Sequence, residues 1–326
     1  MQSDNSKNLN NNPLVVTISV VSALIAIFVF VTGCQNLPQL LGQTAPSVAT
    51  PQTIQPLSPT IARSATPKPS ETPQVMAPAM PDLKGRALKV GSDTTYPPFE
   101  SVNDKKEIVG FDVDLVNEIC KKINCNGTFI TADFDGLLIA VSNKTYDFSI
   151  SGWTITDERG KTVDFGLPYM KNTQVLLVRS DETTVKETAD LKKPNVIVAA
   201  QLGTTNSITA KKLVADPNKQ IKEFQEFPAA IQALLNKQAS AVVIDTFDAS
   251  DLITENKGQI KVTGKQFGDE YLGMVFRKGD KDLKSAFDGG LKAVYQDGTW
   301  SKLCEKWWKD INPRPDCSGA GLPLGK

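Results

Sequence analysis

Histidine is absent from all 326 residues. That removes every Ser-His-Asp or Cys-His catalytic arrangement and every His-ligated metal site. Excess charge is absent too: 36 basic side chains balance 36 acidic ones. A balanced chain has no electrostatic footprint for nucleic acid, so no nucleic-acid partner is expected. Cysteine is sparse, with Cys34, Cys120, Cys125, Cys304 and Cys317. No C-x-x-C pair occurs, which argues against a zinc ribbon or a thioredoxin-type redox motif. No metal and no cofactor is expected, and no catalytic residue is assigned.

What is present begins with an apolar run without a charge, residues 14 to 32, behind an asparagine-rich stretch carrying Lys7. It closes on Val31-Thr32-Gly33-Cys34. This pattern resembles a bacterial lipoprotein signal, with residues 1–33 removed and Cys34 lipidated. The alternative is an uncleaved transmembrane anchor, since the run is nearly long enough to span a bilayer. Either way the rest of the chain is expected outside the plasma membrane and tethered to it. The expected location is periplasmic, lipid-anchored on the outer face of the plasma membrane or on an outer membrane. The four remaining cysteines then sit in an oxidising compartment, which suggests two disulfides.

Residues 34–82 read as a disordered, Pro/Thr/Ser-rich tether. Ten of the twenty prolines fall there, and the charges are only Arg63, Lys68, Glu71 and Asp82. A head of about 240 residues follows. In it, strand-like runs (87–92, 128–131, 146–150, 175–179, 196–200, 241–244, 271–277) alternate with helical patterns (from 112, 136–142, a helix through 214, 228–236, from 246, 281–309). Alternation of this kind implies parallel sheets covered on both faces, with ligands bound outside the carboxyl ends of the strands. Asp112 reads as an N-cap and Asp114 as part of a solvated helix face. Cys120 and Cys125 would lie roughly 7.5 Å apart along a continuous helix, beyond disulfide reach. A bond between them needs the helix to end in between, with Asn124 as a left-handed cap. Cys304 and Cys317 bracket another helix end, and these two local pairings are the expected ones.

The strand ends carry the chemistry. Thr154-Ile155-Thr156-Asp157-Glu158-Arg159 follows a strand through Gly152-Trp153. It offers hydroxyls, a helix start and a guanidinium fork, a set suited to a small carboxylate. The bland reading is a helix capped by Thr156, with Arg159 in a surface ion pair. Asp93 and Tyr96 follow the first strand, Phe134 the second, Gln201 and Thr205 a fourth, and Asp245 a fifth. Together they suit a zwitterion, with Arg159 on an α-carboxylate and Asp245 on an α-ammonium. Buried charges tolerate only such paired ligands.

Five ordered segments then carry a resemblance: Gly-Phe-Asp112-Val-Asp-Leu, Asp133-Phe-Asp-Gly-Leu-Leu, Thr-Ile-Thr-Asp-Glu-Arg159, Asp164-Phe-Gly-Leu-Pro-Tyr169 and Gln296-Asp-Gly-Thr-Trp300. Over residues 85 to 310 the chain resembles the family 3 extracellular solute-binding proteins, the polar amino-acid-binding proteins of ABC importers. The resemblance implies an α/β, two-lobed periplasmic-binding-protein fold of type II (flytrap), with two crossover strands. Lobe 1 would hold 83–170 plus 276–326, and lobe 2 would hold 171–275. By the same resemblance Arg159 and Thr154 hold the ligand carboxylate with help from Thr205. Asp245 and the Gly152 carbonyl hold the ammonium, Tyr96 and Phe134 are aromatic walls, and Asp93 meets a polar or cationic side-chain end.

Each position has a second reading. Asp93 serves equally as a cap of its own turn, and Tyr96 and Phe134 serve as core. Trp153 is wall or core. Asp157 and Glu158 read as helix-start acids, and Trp307 and Trp308 as packing residues. Asp93 disfavours acidic ligands, and its turn and the cysteine pair resemble those of lysine/arginine/ornithine and histidine binders, which space the cysteines more widely. Glutamine-specific members carry a histidine and a lysine where this chain has Ile244 and Gln201. A monomeric, non-enzymatic receptor for a basic or broadly polar L-amino acid (arginine, lysine, ornithine or another) is expected, delivering it to separate ABC permease subunits. The alternatives are a cyclohexadienyl or arogenate dehydratase-like enzyme with Glu100 as general acid, and a ligand-sensing partner of a signalling receptor.

Overall fold

The computed structural model describes residues 80–309, 316–319 and 321–324. The expected signal sequence, the lipidated Cys34 and the tether up to residue 79 lie outside the described residues. Among the described residues no helix is long and apolar enough to cross a membrane.

The first lobe opens with strand β1 (Arg86–Ser92) and a small antiparallel sheet of β2 (Thr95–Tyr96), β3 (Glu100–Val102) and β4 (Ile108–Val109). Helix α1 (Phe111–Ile123), β5 (Cys125–Thr131), α2 (Phe134–Ser142), β6 (Phe148–Ser149) and the short α3 (Asp157–Gly160) follow. Strand β7 (Val163–Arg179) then carries the chain away. The second lobe contains a 3-10 turn (Thr188–Lys192), β8 (Val198–Gln201), α4 (Thr205–Leu213), α5 (Pro217–Gln220), β9 (Ile221–Phe224), α6 (Phe227–Leu235), β10 (Ala241–Asp245) and α7 (Thr246–Glu255). Strand β11 (Ile260–Arg277) returns to α8 (Lys281–Gln296) and α9 (Thr299–Trp308).

One eight-stranded sheet runs through both lobes in the order β5-β1-β6-β11-β7-β10-β8-β9. Its two outer groups of three strands are parallel, β5-β1-β6 and β10-β8-β9. The long β7 and β11 pair antiparallel between them. The expectation of purely parallel sheets is therefore corrected. The two crossovers pair with each other, and two chain passes in opposite directions cannot pair in parallel. The segments expected as short strands at 175–179 and 271–277 are the ends of these crossovers. Strands β2 to β4 and β9 were not anticipated, because each is too short for a clear period.

Burial follows the pleat. In the second lobe Val175, Leu177, Val242 and Ile244 enter one core. Their neighbours Leu176, Val178, Ala241 and Val243 enter another on the opposite face. Alternation of buried residues on both faces is what a helix-covered sheet requires. In the first lobe Phe111, Leu115, Ile119, Phe287, Trp300 and Trp308 are fully or almost fully buried in one core. Trp308 thus packs as expected.

Three local expectations change. Helix α1 begins after Gly110, not at Asp112. Gly110 has φ 148°, and a Cβ there would lie 2.0 Å from the Phe99 carbonyl oxygen. Asp112 is fully buried and accepts from the Gly152 N–H (3.2 Å) and the Tyr169 hydroxyl (3.0 Å). Asp114 is not freely solvated, since it accepts from Lys306 and from the Trp307 indole. The helical stretch expected over 281–309 breaks at Gly298, which adopts φ 76°.

Both expected disulfides are closed, with Cα separations of 4.6 Å for Cys120–Cys125 and 5.5 Å for Cys304–Cys317. Asn124 ends α1 at φ 54°, in the left-handed region, which is what brings Cys125 back to Cys120.

Candidate functional site

Residues at or just after the carboxyl ends of β1, β6, β8 and β10 line one pocket. Residues 151–154 follow β6, and Thr156 caps α3 by accepting from the Arg159 N–H at 3.2 Å. The bland capping reading is thus true, but its surface ion pair is not. Arg159 is only 8% exposed. Its fork donates to the Thr154 carbonyl (2.8 Å) and across the cleft to the Gly203 carbonyl (3.1 Å), both neutral oxygens. The guanidinium carbon lies 4.8 Å from the Trp153 ring centre and 5.7 Å from that of Phe134. Those rings stack at 4.0 Å. Aromatic faces favour a cation beside them while shedding its water. Burial lowers the Arg159 pKa to about 10, against the opposing pull of Glu270 and Asp245, and the group stays charged at neutral pH.

Asp93 serves both readings at once. One oxygen accepts from the Thr95 N–H and hydroxyl (3.2 and 2.7 Å), capping its own turn. The other accepts from the Gln201 amide across the cleft at 2.5 Å. Asp245 is 4% exposed and accepts from the Tyr96 hydroxyl (2.8 Å) and the Asn206 amide (2.7 Å). Burial raises the pKa of both carboxyls from the ordinary value. Thr154 and Thr205 face each other with hydroxyls 3.1 Å apart.

One pocket is lined by nine of the expected site residues: Asp93, Tyr96, Phe134, Gly152, Thr154, Arg159, Gln201, Thr205 and Asp245. Trp153, 1% exposed, stands behind Phe134 as a wall rather than in the lining. Asp157 and Glu158 are exposed, as helix-start acids should be. Gly152 adopts φ 57°, and a Cβ there would approach the Tyr96 ring to 3.3 Å.

Sequence reasoning missed Asn206, Phe227 and Glu270. Asn206 follows the chosen Thr205 directly, and its helix start was the available signal. Phe227 meets the Tyr96 ring edge-on at 5.1 Å, from the start of α6. Glu270 lies inside crossover β11, where no strand-end argument reaches. It accepts from the Gln174 amide (2.9 Å) and the Thr154 hydroxyl (3.2 Å). Burial, then Asp245, raises its pKa to about 7.

Glu100 also lines the pocket. It is fully buried and accepts from the Ser151 hydroxyl at 2.6 Å. Burial and then the neighbouring Asp112 push its carboxyl well above the ordinary range. Asp112 is itself raised to about 7, chiefly by burial, although the Glu100 hydrogen bond lowers it. Of the two carboxyls Glu100 is raised further, so it keeps its proton in preference to Asp112. Among the described residues no group of three or more His, Cys, Asp or Glu stands where it could hold a metal ion.

In short, the site can grip a small anion at Arg159 and cationic groups at Asp245 and Asp93. Comparison with known proteins agrees in kind. ABC transporter arginine-binding protein 1 of Escherichia coli (strain K12) is 33% identical over 227 residues, 68% of this chain and 90% of that protein. An ancestral arginine-binding protein bound to arginine is 35% identical with TM-score 0.66, covering 69% of this chain and 99% of that one. An ancestral amino-acid-binding protein described as a precursor of cyclohexadienyl dehydratase is 36% identical with TM-score 0.63, over 68% and 95% of the two chains. The model of the bacterial extracellular solute-binding proteins, family 3, matches residues 88–310, and the chain belongs to that family.

Proposed function

We propose that this protein captures a basic L-amino acid outside the cell membrane and delivers it to an ABC importer. The observation that carries this reading is the buried Arg159 fork, bonded only to neutral carbonyls and set in one pocket with the carboxyls of Asp93 and Asp245. A carboxylate is a stronger partner for that fork than a carbonyl, because both partners are then charged. The ligand's α-carboxylate takes Arg159, Thr154 and Thr205. Its α-ammonium takes Asp245, and a cationic side-chain end takes Asp93. Three anchors of this sign pattern discriminate against acidic side chains by leaving Asp93 opposed to a like charge.

Lobe 1 is assigned to 83–170 plus 276–326 and lobe 2 to 171–275. Arg159, Thr154, Tyr96 and Asp93 then come from one lobe, and Thr205, Asp245 and Gln201 from the other. A ligand bridging both stabilises the closed arrangement by the contacts it adds there. The chain is read as a monomer held to the membrane through a lipid on Cys34, with the apolar run at 14–32 as its signal.

Calorimetric titration of the purified protein with the twenty amino acids, ornithine and prephenate tests this reading. Saturable binding of arginine, lysine or ornithine, lost in Arg159→Ala and in Asp245→Ala, is the expected result. The raised Glu100 carboxyl favours a second reading, a dehydratase-type enzyme with Glu100 as acid. Its bond from Ser151 and its full burial beside Asp112 support a role for Glu100 in holding the pocket together instead. Turnover of prephenate with no amino-acid binding would reverse that choice.

A further inference from the structure

Three groups of the pocket, Asp245, Asp93 and Thr154, are already engaged by protein groups that stand where parts of a basic amino acid would. The Tyr96 hydroxyl donates to Asp245, where an α-ammonium would. The Gln201 amide donates to Asp93, where a side-chain cation would. The third mimic is Glu270. Its Oε2 accepts from the Thr154 hydroxyl at 3.2 Å, and Thr154 in turn faces Thr205 at 3.1 Å. Gln174 holds the other oxygen at 2.9 Å from β7. A protein carboxylate thus occupies the hydroxyl that serves the ligand's carboxylate, and its charge is felt by Arg159.

Tyr96 and Gln201 can turn aside when their substitutes arrive, because both are neutral. Glu270 cannot do so without consequence. A ligand carboxylate on Thr154 and Arg159 brings a further anion directly beside Glu270, in a buried site that also holds Asp245. Two carboxylates sharing a site do not both stay ionised. From this geometry we infer that Glu270 stands in for the ligand carboxylate in the ligand-free protein, and that seating an amino acid completes the protonation of Glu270 from solvent. The inference rests on the amino-acid reading above.

The exchange balances at the level of single hydrogens. With Glu270 ionised, the Thr154 hydroxyl hydrogen points to Oε2. Once Oε2 is protonated it becomes the donor, and the Thr154 oxygen accepts. The Thr154 hydrogen is then free to turn to the ligand carboxylate. Gln174 keeps its bond to Oε1 in both states.

The surroundings favour this step. Arg159 on α3 and Asp245 on β10 are the charged groups acting on Glu270 from packed elements, and Thr154, Thr205 and Gln174 supply the neutral ones. On β11 itself the adjacent Asp269 is engaged by Lys171 of β7 at 3.3 Å, in an exposed pair. Arg159 favours the ionised form of Glu270, while burial and Asp245 oppose it. The balance puts its pKa at about 7. The ligand-free protein then holds a proton there about half of the time at neutral pH, and a second carboxylate drives the site to full protonation.

The test is arginine titration calorimetry near pH 7 in buffers of differing ionisation enthalpy, on the parent and on Glu270→Gln. The parent is expected to take up about half a proton per arginine bound at pH 7, and to bind about ten-fold more tightly at pH 6 than at pH 8. Glu270→Gln, neutral at every pH, is expected to bind arginine with no proton uptake and a flat profile over that range. The parent series alone suffices should the variant fold poorly. Arginine binding by the parent without proton uptake overturns the inference, and so does equal uptake by Glu270→Gln. If no amino acid binds to either protein, the amino-acid reading falls and takes this inference with it.

Discussion

Tyr96 and Asp245 stand 149 residues apart in the chain, and the phenol hydroxyl donates to the carboxylate at 2.8 Å. The bond joins the turn after β1 to the end of β10, so it spans the cleft. It satisfies one oxygen of a buried carboxyl whose other oxygen accepts from Asn206.

Tyr96→Phe removes that bond and keeps the ring against Phe227. A hydrogen bond to a charged group contributes about 1.5–3 kcal/mol, and here that stabilisation belongs to the closed arrangement. The ligand-free variant is expected to be more open than the parent, with a larger radius of gyration by small-angle scattering. Saturation with ligand is expected to bring the two to the same value. Identical ligand-free values would show that the bond does not hold the lobes together.

Arg159→Lys keeps the charge and loses the fork that reaches the Thr154 and Gly203 carbonyls together. A point charge cannot hold a carboxylate by two parallel bonds while also spanning the cleft. Arginine affinity should fall by about 2 kcal/mol or more, roughly thirty-fold, with little change in unfolding midpoint. Affinity within a factor of about three of the parent would remove Arg159 as the principal anchor.

Glu100 and Asp112 give a pH dependence of stability with a definite sign. Both carboxyls are raised in the folded state, Asp112 to about 7 and Glu100 further, chiefly by burial. The folded protein therefore keeps protons that the unfolded chain releases near pH 4. The stability they contribute is complete below that range and is lost as pH rises through 7. Glu100→Gln supplies a permanent neutral partner for Asp112 and removes one of the two titrating groups. Denaturant unfolding at pH 5 and pH 8 is expected to show the variant gaining on the parent by about 1–3 kcal/mol at the higher pH. Parallel pH profiles for the two proteins would show that folding does not raise the Glu100 carboxyl.

The two disulfides should differ in weight. Cys304–Cys317 closes a separation of 13 residues and ties the C-terminal segment to the core around Trp300 and Trp308. Cys120–Cys125 closes a separation of only 5. Loop-closure entropy assigns about 3 kcal/mol to the first and less to the second. Replacing Cys304 and Cys317 together by Ala is expected to lower the melting temperature by several degrees, and more than the Cys120/Cys125 double variant. The reverse order would mean that strain or residual unfolded structure outweighs loop length.

Arg159, Thr154, Thr205 and Asp245 were legible as pocket residues because each ends or follows a recognisable strand, and an α/β sheet gathers such ends on one side. Asn124 was legible as a left-handed cap because the cysteine spacing admits few other geometries. Asp112 was misread for the opposite reason. Its position two residues past a glycine looks like a helix start, but its carboxylate serves Gly152 and Tyr169, which lie 40 and 57 residues away.

By itself, the sequence determined the α/β alternation, the pairing of nearby cysteines and the residue types at the strand ends, because these depend on periodicity and short-range geometry. Only the tertiary structure decided that β7 and β11 pair antiparallel through the middle of one sheet. It alone decided that Glu100 and Asp112 are buried together, each shifting the other's pKa, and that Glu270 reaches Thr154 from a crossover strand. Those relationships depend on which distant segments share a low-dielectric interior, and no local pattern along the chain encodes that proximity.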